Sequence, residues 1–270
     1  MTENSAFKYS ILASGSTGNS FFLETPQKKI LVDAGLSGKK IESLLGEIGR
    51  DIHDVDALLI THEHSDHIKG IGVLARKYGL ELYANAETWS EIDSKNMVGK
   101  IDESQKHIFE MGKTLTFGDI DIESFGVSHD AIAPQFYRFM KDGKSFVLLT
   151  DTGYVSDRMR GVIENADAYL MESNHEVEML RNGPYPWTTK QRILSDRGHL
   201  SNEDGAEVAF NVLGNKTRRI FLGHLSLHNN IKELAHMTMD GYLQQHDVDT
   251  QREVHVIDTS HEHASCLFEI

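Results

Sequence analysis

One short stretch constrains this chain more than any other, because residues 62–67 read His-Glu-His-Ser-Asp-His. It directly follows a run of four apolar residues that is typical of a buried strand. Side chains two apart along an extended chain point to the same side, so His62 and His64 can share one metal ion. Asp66 and His67 lie one turn further along and can reach a neighbouring ion. Imidazole and carboxylate ligands suit zinc, iron or manganese, and the pattern therefore predicts a metal site.

Three further candidate ligands, His129, Asp151 and His224, also follow predicted strands. Taken alone, each is more often a turn residue or a hydrogen-bonded polar group, and residues 62–67 alone would fit a histidine-rich helix cap. All of them, however, fall at the ends of predicted strands, where a rigid scaffold presents loops. This repetition predicts that the side chains gather at one edge of a sheet.

Short apolar runs alternate with helical patterns along the chain. The predicted strands lie near residues 9–12, 20–24, 30–32, 57–60, 80–83, 114–117, 120–125, 136–140, 145–149, 168–171 and 219–222. The predicted helices lie near residues 39–48, 68–78, 156–164 and 202–213. No proline-rich, glycine–serine or charged linker divides the sequence, so we expect one α/β domain over residues 1–270.

Charge and composition narrow the class of protein. The formal net charge of −14 argues against a generic electrostatic grip on nucleic acid, although a local basic groove stays open. The single cysteine, Cys266, cannot form an intramolecular disulfide. The polar N-terminus does not resemble a signal peptide, and no apolar run approaches the ~20 residues of a membrane span. We therefore expect a cytoplasmic protein that does not enter a membrane.

With Asp33 in Val-Asp-Ala-Gly, these motifs occur in the order typical of the metallo-β-lactamase superfamily, which the chain resembles over nearly its whole length. The resemblance implies a four-layer αββα sandwich with two divalent metal ions at one edge, zinc or manganese, with iron as a further option. The implied ligands are His62, His64 and His129 for the first ion, Asp66, His67 and His224 for the second, and Asp151 between both. Asp33 would order the signature loop from behind, and Asp66 would also take part in catalysis.

A second segment is similar to the phosphodiesterase branch of that superfamily. In its transfer-RNA 3′-processing nucleases, a histidine upstream of the last ligand acts as general acid, and a glutamate orients it. His199 and Glu172 match these two positions. The alternative for His199 is a residue that merely precedes the helix cap at Ser201 and Asn202.

Several stretches look like a bacterial family of this branch, the YycJ (WalJ) family, described as DNA exonucleases that act from the 5′ end. They are residues 14–20, 128–131, 172–175, 183–187 and 198–202. The implied partner is nucleic acid, in particular DNA. A secreted lactamase is disfavoured, because it would need a signal peptide and many lactamases carry a cysteine where this chain has Asp151. A small-molecule phosphodiesterase, a thioester hydrolase and a non-catalytic regulatory protein remain as alternatives.

Candidate substrate contacts lie in the predicted loop at residues 181–197. It carries four basic residues with two aromatic residues among them: Arg181, Lys190, Arg192, Arg197, Tyr185 and Trp187. Basic residues can hold phosphates and aromatic rings can stack on bases, with Trp187 and Arg192 as the main candidates. The alternative is a surface loop whose aromatic residues fold back on the core. Ser226 and Asn229 either bind a terminal phosphate or cap the next helix.

Overall fold

The computed structural model describes residues 6–270, which form two mixed seven-stranded sheets and nine α-helices. The strands are β1 Lys8–Ala13, β2 Ser20–Glu24, β3 Lys29–Val32, β4 Ala57–Leu59, β5 Glu81–Ala84, β6 Lys106–Ile108, β7 Thr114–Phe117, β8 Ile120–Gly126, β9 Gln135–Lys141, β10 Lys144–Leu149, β11 Ala168–Glu172, β12 Arg219–Gly223, β13 His255–Asp258 and β14 Phe268–Glu269. The helices are α1 Gly38–Glu47, α2 Ser65–Ile68, α3 Ile71–Tyr78, α4 Ala86–Ser94, α5 Asp157–Ile163, α6 Val177–Asn182, α7 Trp187–Ile193, α8 Asn202–Val212 and α9 Lys232–Gln245.

The two sheets have related topologies. The first runs β14-β1-β2-β3-β4-β5-β6 and becomes parallel from β3 onward. The second runs β13-β12-β11-β10-β9-β8-β7, with its parallel part between β10 and β13. Each sheet therefore combines an antiparallel half, built from hairpins, with a parallel half whose connections cross over through helices.

Strands β1 to β4 of the first sheet are buried along nearly their whole length, which explains why most of their residues are apolar. In β2, Phe21 and Leu23 point into the core between the sheets, while Phe22 points to the helices outside. The same alternation places Tyr9 and Ile11 of β1 in the inner core. Because side chains alternate between the two faces, this period of two determines which residues of each strand face the second sheet.

Helices cover the outer face of each sheet. Buried residues of α1, α3 and α4 pack on the first sheet, and buried residues of α5, α8 and α9 join the core of the second. The order helix, sheet, sheet, helix confirms the predicted four-layer αββα sandwich. Within residues 6–270, no helix is both long enough and apolar enough to cross a membrane.

Two predicted elements differ from the structure. The helix expected at residues 68–78 is divided, since α2 ends at Ile68 and α3 begins at Ile71. At Gly70 between them, a Cβ atom would lie 2.4 Å from the backbone oxygen of Leu36, so the chain turns where two backbones touch. The segment at residues 181–197, predicted as a loop, contains the end of α6 and all of α7. Pro184 and Pro186 precede α7, at positions where the helix needs no backbone N–H donor from them.

Candidate metal centre

The candidate ligands emerge where strands end. The signature loop, residues 61–67, follows β4, while Asp33 follows β3. Asp151 follows β10 and His224 follows β12, each at the carboxyl end of a parallel strand. Such an edge is where open α/β sheets gather their functional side chains. The structure thus brings together residues that are up to about 190 positions apart in sequence.

Backbone conformation at three of these positions is unusual. Asp33, Asp151 and His224 have φ values of 58°, 53° and 55°, in the left-handed region that non-glycine residues rarely adopt. Asp33 and His224 are the first residues after a strand and Asp151 is the second, so each lies in a turn at the end of a sheet. Such conformations cost about 1–3 kcal/mol each and cluster at functional sites.

The first cluster consists of His62, His64 and His129, with one nitrogen of each lying within 4.8 Å of the others. The Nε2 atom of His129 lies 3.2 Å from the Nδ1 atom of His64. The Nδ1 atom of His129 lies 3.2 Å from the backbone oxygen of Gly198, which leaves Nε2 directed at the cluster. Three imidazoles that converge in this way could hold one metal ion.

The second cluster consists of Asp66, His67, Asp151 and His224. The Nε2 atom of His67 lies 3.4 Å from Oδ2 of Asp151 and 3.6 Å from Oδ2 of Asp66. The Nε2 atom of His224 lies 3.5 Å from the same oxygen of Asp66. Asp151 also lies 4.0 Å from Nε2 of His129, so its carboxylate stands between the two clusters.

Unpartnered buried atoms show that a metal ion fits these clusters. Among residues 6–270, Nε2 of His62, Nε2 of His224 and Oδ2 of Asp151 are buried and make no hydrogen bond. Buried polar atoms are nearly always paired, because leaving one unpaired costs about 1–3 kcal/mol. The donors are imidazole nitrogens and carboxylate oxygens, which are ordinary ligands of divalent transition metals.

The charges inside the site are strongly coupled. Burial lowers the pKa of His62 well below its usual value, and this keeps the ring neutral and able to bind a cation. Burial alone would also lower the pKa of His67, but Asp151, Asp33 and Asp66 together raise it well above its usual value. Carboxylates therefore dominate the second cluster and favour positive charge there.

Asp33 supports the signature loop from behind. Its Oδ1 accepts a hydrogen bond from the backbone N–H of Thr61 at 2.9 Å, and its Oδ2 accepts one from the Thr61 hydroxyl at 2.8 Å. The same Oδ2 lies 2.7 Å from Nδ1 of His67. A carboxylate bound to Nδ1 fixes the orientation of the imidazole and leaves Nε2 for a metal ion.

Glu172 and His199 form a pair beside the second cluster. Oε1 of Glu172 lies 2.7 Å from Nδ1 of His199 and 3.0 Å from Nδ1 of His224. Its Oε2 accepts hydrogen bonds from the backbone N–H groups of Thr152 and Leu200. Burial would raise the pKa of Glu172, but the charge of His199 and hydrogen bonds from both histidines lower it to about 2. Its two oxygens thus contact both rings and two backbone N–H groups. Glu172 also belongs, with Asp151, His199 and His224, to a third group whose possible ligand atoms lie within 4.8 Å of one another.

A cleft of about 370 Å³ opens over both clusters. Only some of the predicted substrate contacts line it. Arg192 and Ser226 line the cleft. Trp187 is 61% exposed and does not line it. Asn229 is fully buried and donates its side-chain N–H to the Ser226 hydroxyl, so it supports Ser226 from beneath.

Some neighbouring residues were not predicted from the sequence. Asp130 lies 3.4 Å from Nε2 of His129 through Oδ1, while its Oδ2 accepts a hydrogen bond from Arg192. The buried Glu63 accepts a hydrogen bond from the backbone N–H of Ile132 and so links the signature loop to the His129 loop. Asn19 lies 3.1 Å from Nε2 of His67. Glu63 and Asp130 each immediately follow a candidate ligand, and Asp130 also lies in the stretch 128–131 that resembles the family.

Comparison with known proteins places this site in a family. A family described as "Beta-lactamase superfamily domain" matches residues 28–225. The chain is 70% identical over 264 residues to the exodeoxyribonuclease WalJ of Streptococcus pneumoniae serotype 2, covering 98% of each chain. It is 56% identical over 237 residues to the exodeoxyribonuclease YycJ of Bacillus anthracis, covering 88% of this chain and 89% of that protein.

A solved structure shows the same fold. The metallo-β-lactamase fold protein YhfI from Bacillus subtilis superposes with a TM-score of 0.72 at 18% identity, over 98% of this chain and all of that one. The fold, the ordered motifs and the close relatives agree, and the resemblance predicted from the motifs is confirmed. The chain therefore belongs to the beta-lactamase superfamily of metal-dependent hydrolases.

Proposed function

We propose that this protein is a two-metal phosphodiesterase that removes nucleotides from DNA, beginning at the 5′ end. One observation carries the proposal: two clusters of imidazole and carboxylate groups meet at Asp151, beside a histidine held by a buried glutamate. The names of the two close relatives, both exodeoxyribonucleases, support DNA as the substrate.

In this proposal each cluster holds one divalent ion. His62, His64 and His129 would bind the first, and Asp66, His67 and His224 the second. Asp151 would bridge them, since its carboxylate lies 3.4 Å from Nε2 of His67 and 3.0 Å from Nδ1 of His224 in the second cluster, and 4.0 Å from Nε2 of His129 in the first. The absence of thiolate from this donor set favours zinc or manganese, with iron as a further option.

Metal ions held in this way supply Lewis acidity to a phosphodiester and lower the pKa of water. The side chains contribute the remaining steps. Glu172 fixes Nδ1 of His199, so Nε2 is the nitrogen left to carry a proton toward the cleft. His199 would then protonate the leaving oxygen of the scissile bond.

Polar groups along the cleft would orient the strand. Arg192 offers a guanidinium suited to phosphate oxygens, and Ser226 offers a hydroxyl held in place by Asn229. Trp187 is the first residue of the helix that carries Arg192, and its exposed ring could stack on a base.

A small-molecule phosphodiesterase is the second candidate, because a cleft of about 370 Å³ is small for a polymer. The same protein can be tested on both substrates. Purified protein is incubated with 5′- or 3′-labelled single- and double-stranded DNA and RNA, and with bis(p-nitrophenyl) phosphate, in zinc, manganese or magnesium.

Stepwise release of labelled mononucleotides from the 5′ end of DNA is the expected result. Release from the 3′ end first would reverse the polarity. Hydrolysis of the small diester alone would establish the second candidate instead. The Asp151→Ala variant, which removes the bridging carboxylate, serves as the inactive control.

A further inference from the structure

The cleft over the metal centre contains very little positive charge. Of the residues that line it, only Arg192 is a lysine or arginine. The chain as a whole carries a formal net charge of −14, so it offers no general electrostatic attraction for a polyanion. A nuclease that tracks a long strand ordinarily presents a positively charged groove along the backbone.

The other three basic residues of the 181–197 segment are already engaged. Lys190 is buried, and its Nζ donates hydrogen bonds to the backbone oxygens of Arg181 and Gly183 at 2.7 and 2.8 Å. Arg197 donates two hydrogen bonds to the backbone oxygen of His129. The guanidinium of Arg181 pairs with Glu178 at 2.8 Å. Lys190 and Arg197 therefore hold the segment in place, and the exposed Arg181 does not line the cleft.

Arg192 differs from them because its partner also belongs to the site. Its Nη1 donates to Oδ2 of Asp130 at 3.0 Å, and Oδ1 of Asp130 lies 3.4 Å from Nε2 of His129. This ion pair holds the guanidinium near the first cluster. A guanidinium has five N–H donors, and no other hydrogen bond engages that of Arg192 within residues 6–270. Its remaining donors are free to meet one phosphate.

The ring of Tyr185 forms an aromatic wall on another side of the cleft. Tyr185 lines the cleft and packs edge-to-face against His228, with ring centroids 5.8 Å apart. Together with a volume of about 370 Å³, this wall leaves space for a nucleotide or two rather than for a long stretch of strand. The wall also offers a ring face to a terminal base.

We propose that the cleft grips a strand only at its end, through the single guanidinium of Arg192 set in place by Asp130. The inference rests on the proposed nuclease function and refines it. Its consequences are a weak dependence of cleavage on salt and little dependence on strand length, so oligonucleotides of a few nucleotides are substrates as good as long ones.

Salt and length dependence test this directly. With the metal-loaded enzyme, kcat/KM is measured on 5′-labelled single-stranded DNA of 4, 8, 16 and 32 nucleotides, between 50 and 300 mM NaCl. Each phosphate contacted on a single strand contributes about −0.7 to the slope of log(kcat/KM) against log[NaCl]. We expect a slope between about −0.7 and −1.4 at every length, and values of kcat/KM that agree within about threefold.

Two variants with the same change in net charge distinguish a direct contact between Arg192 and a phosphate from a general effect of protein charge. Arg192→Gln should lower kcat/KM about 10- to 100-fold, mostly through KM, and flatten the slope by about 0.7. Arg158→Gln, at an exposed arginine beside a different cavity, should change neither quantity. Turnover of bis(p-nitrophenyl) phosphate by both variants reports whether the metal centre is intact.

The possible failures are distinguishable. A slope steeper than about −3, or a kcat/KM that climbs steadily with length, would overturn the single-cation grip while leaving the nuclease function in place. Equal effects of Arg158→Gln and Arg192→Gln on the slope would likewise overturn it. Hydrolysis of the small diester without cleavage of any oligonucleotide would overturn the proposed function, and this inference with it.

Discussion

At the scale of single residues, the site contains several buried atoms that make no hydrogen bond within residues 6–270. Among the described residues, Nε2 of His62 and Nε2 of His224 are buried and make no hydrogen bond, while the Nδ1 atoms contact Thr61 and Glu172, respectively. A contact at one imidazole nitrogen fixes the orientation of the ring and leaves the other nitrogen able to bind a metal ion. The roles of individual side chains can therefore be separated by substitution.

Substitution of His199 should affect the cleavage of DNA much more than that of a p-nitrophenyl ester. His199→Ala should fold normally and keep its metals, because five other histidines supply the imidazoles of both clusters. Losing a general acid should cost roughly 10²–10⁴-fold in rate on DNA, whose alkoxide leaving group needs a proton. The loss should be much smaller on a p-nitrophenyl ester, and Glu172→Gln should show the same selectivity more weakly. Equal losses on both substrates, with metals retained, would assign His199 to phosphate binding instead.

Asp151 should be needed for both metals and activity. Asp151→Ala removes the carboxylate between the clusters, so we expect loss of at least one metal, measured by elemental analysis, and of most activity. Asp142→Ala is a matched control, since Asp142 is also an aspartate with positive φ but lies in the exposed turn between β9 and β10. Full metal content and normal turnover in Asp151→Ala would contradict the ligand assignment.

At the scale of helices and strands, regular patterns were predictable and close backbone approaches were not. The inner strands and α8 follow clear periodicities, and the apolar run ahead of each motif was enough to predict that the candidate ligands follow strands. The strand β14 has only two residues, and it pairs with β1 near the other end of the chain, so no local pattern marks it. The ion pair between Asp130 and Arg192 likewise joins residues 62 positions apart and leaves no local trace.

Substitution of glycines tests how closely neighbouring backbone segments approach each other. A Cβ atom at Gly35 would lie 1.6 Å from the backbone oxygen of Asp66, so the loop after β3 packs directly on the signature loop. Gly35→Ala should therefore lower the free energy of unfolding by more than about 2 kcal/mol and reduce metal content. Gly46→Ala, in α1, meets nothing within 4 Å and should raise it by roughly 0.5 kcal/mol. Denaturant unfolding of both variants checks this, and equal stabilities would contradict the close approach.

At the scale of the whole molecule, the metal centre joins the two sheets. The signature loop, with His62, His64, Asp66 and His67, follows β4 of the first sheet, whereas His129, Asp151 and His224 follow strands of the second. Each cluster draws ligands from both sheets. Metal binding and the packing of the inner core, which includes Phe21 and Phe146, should therefore stabilise the same interface.

Thermal unfolding tests this link between metal and fold. Because the ions would bind the folded chain and not the unfolded one, stability should rise with the logarithm of metal concentration. At about 100 times the dissociation constant the gain is about 2.7 kcal/mol, which corresponds to roughly 5–10 °C in Tm for a chain of this size. Chelator-treated protein should show the lower Tm, and titration with zinc or manganese should restore it. The Asp151→Ala variant, lacking the bridging carboxylate, should respond much less. A Tm that is unchanged by chelation and by added metal would show that the two sheets are held together without help from the site.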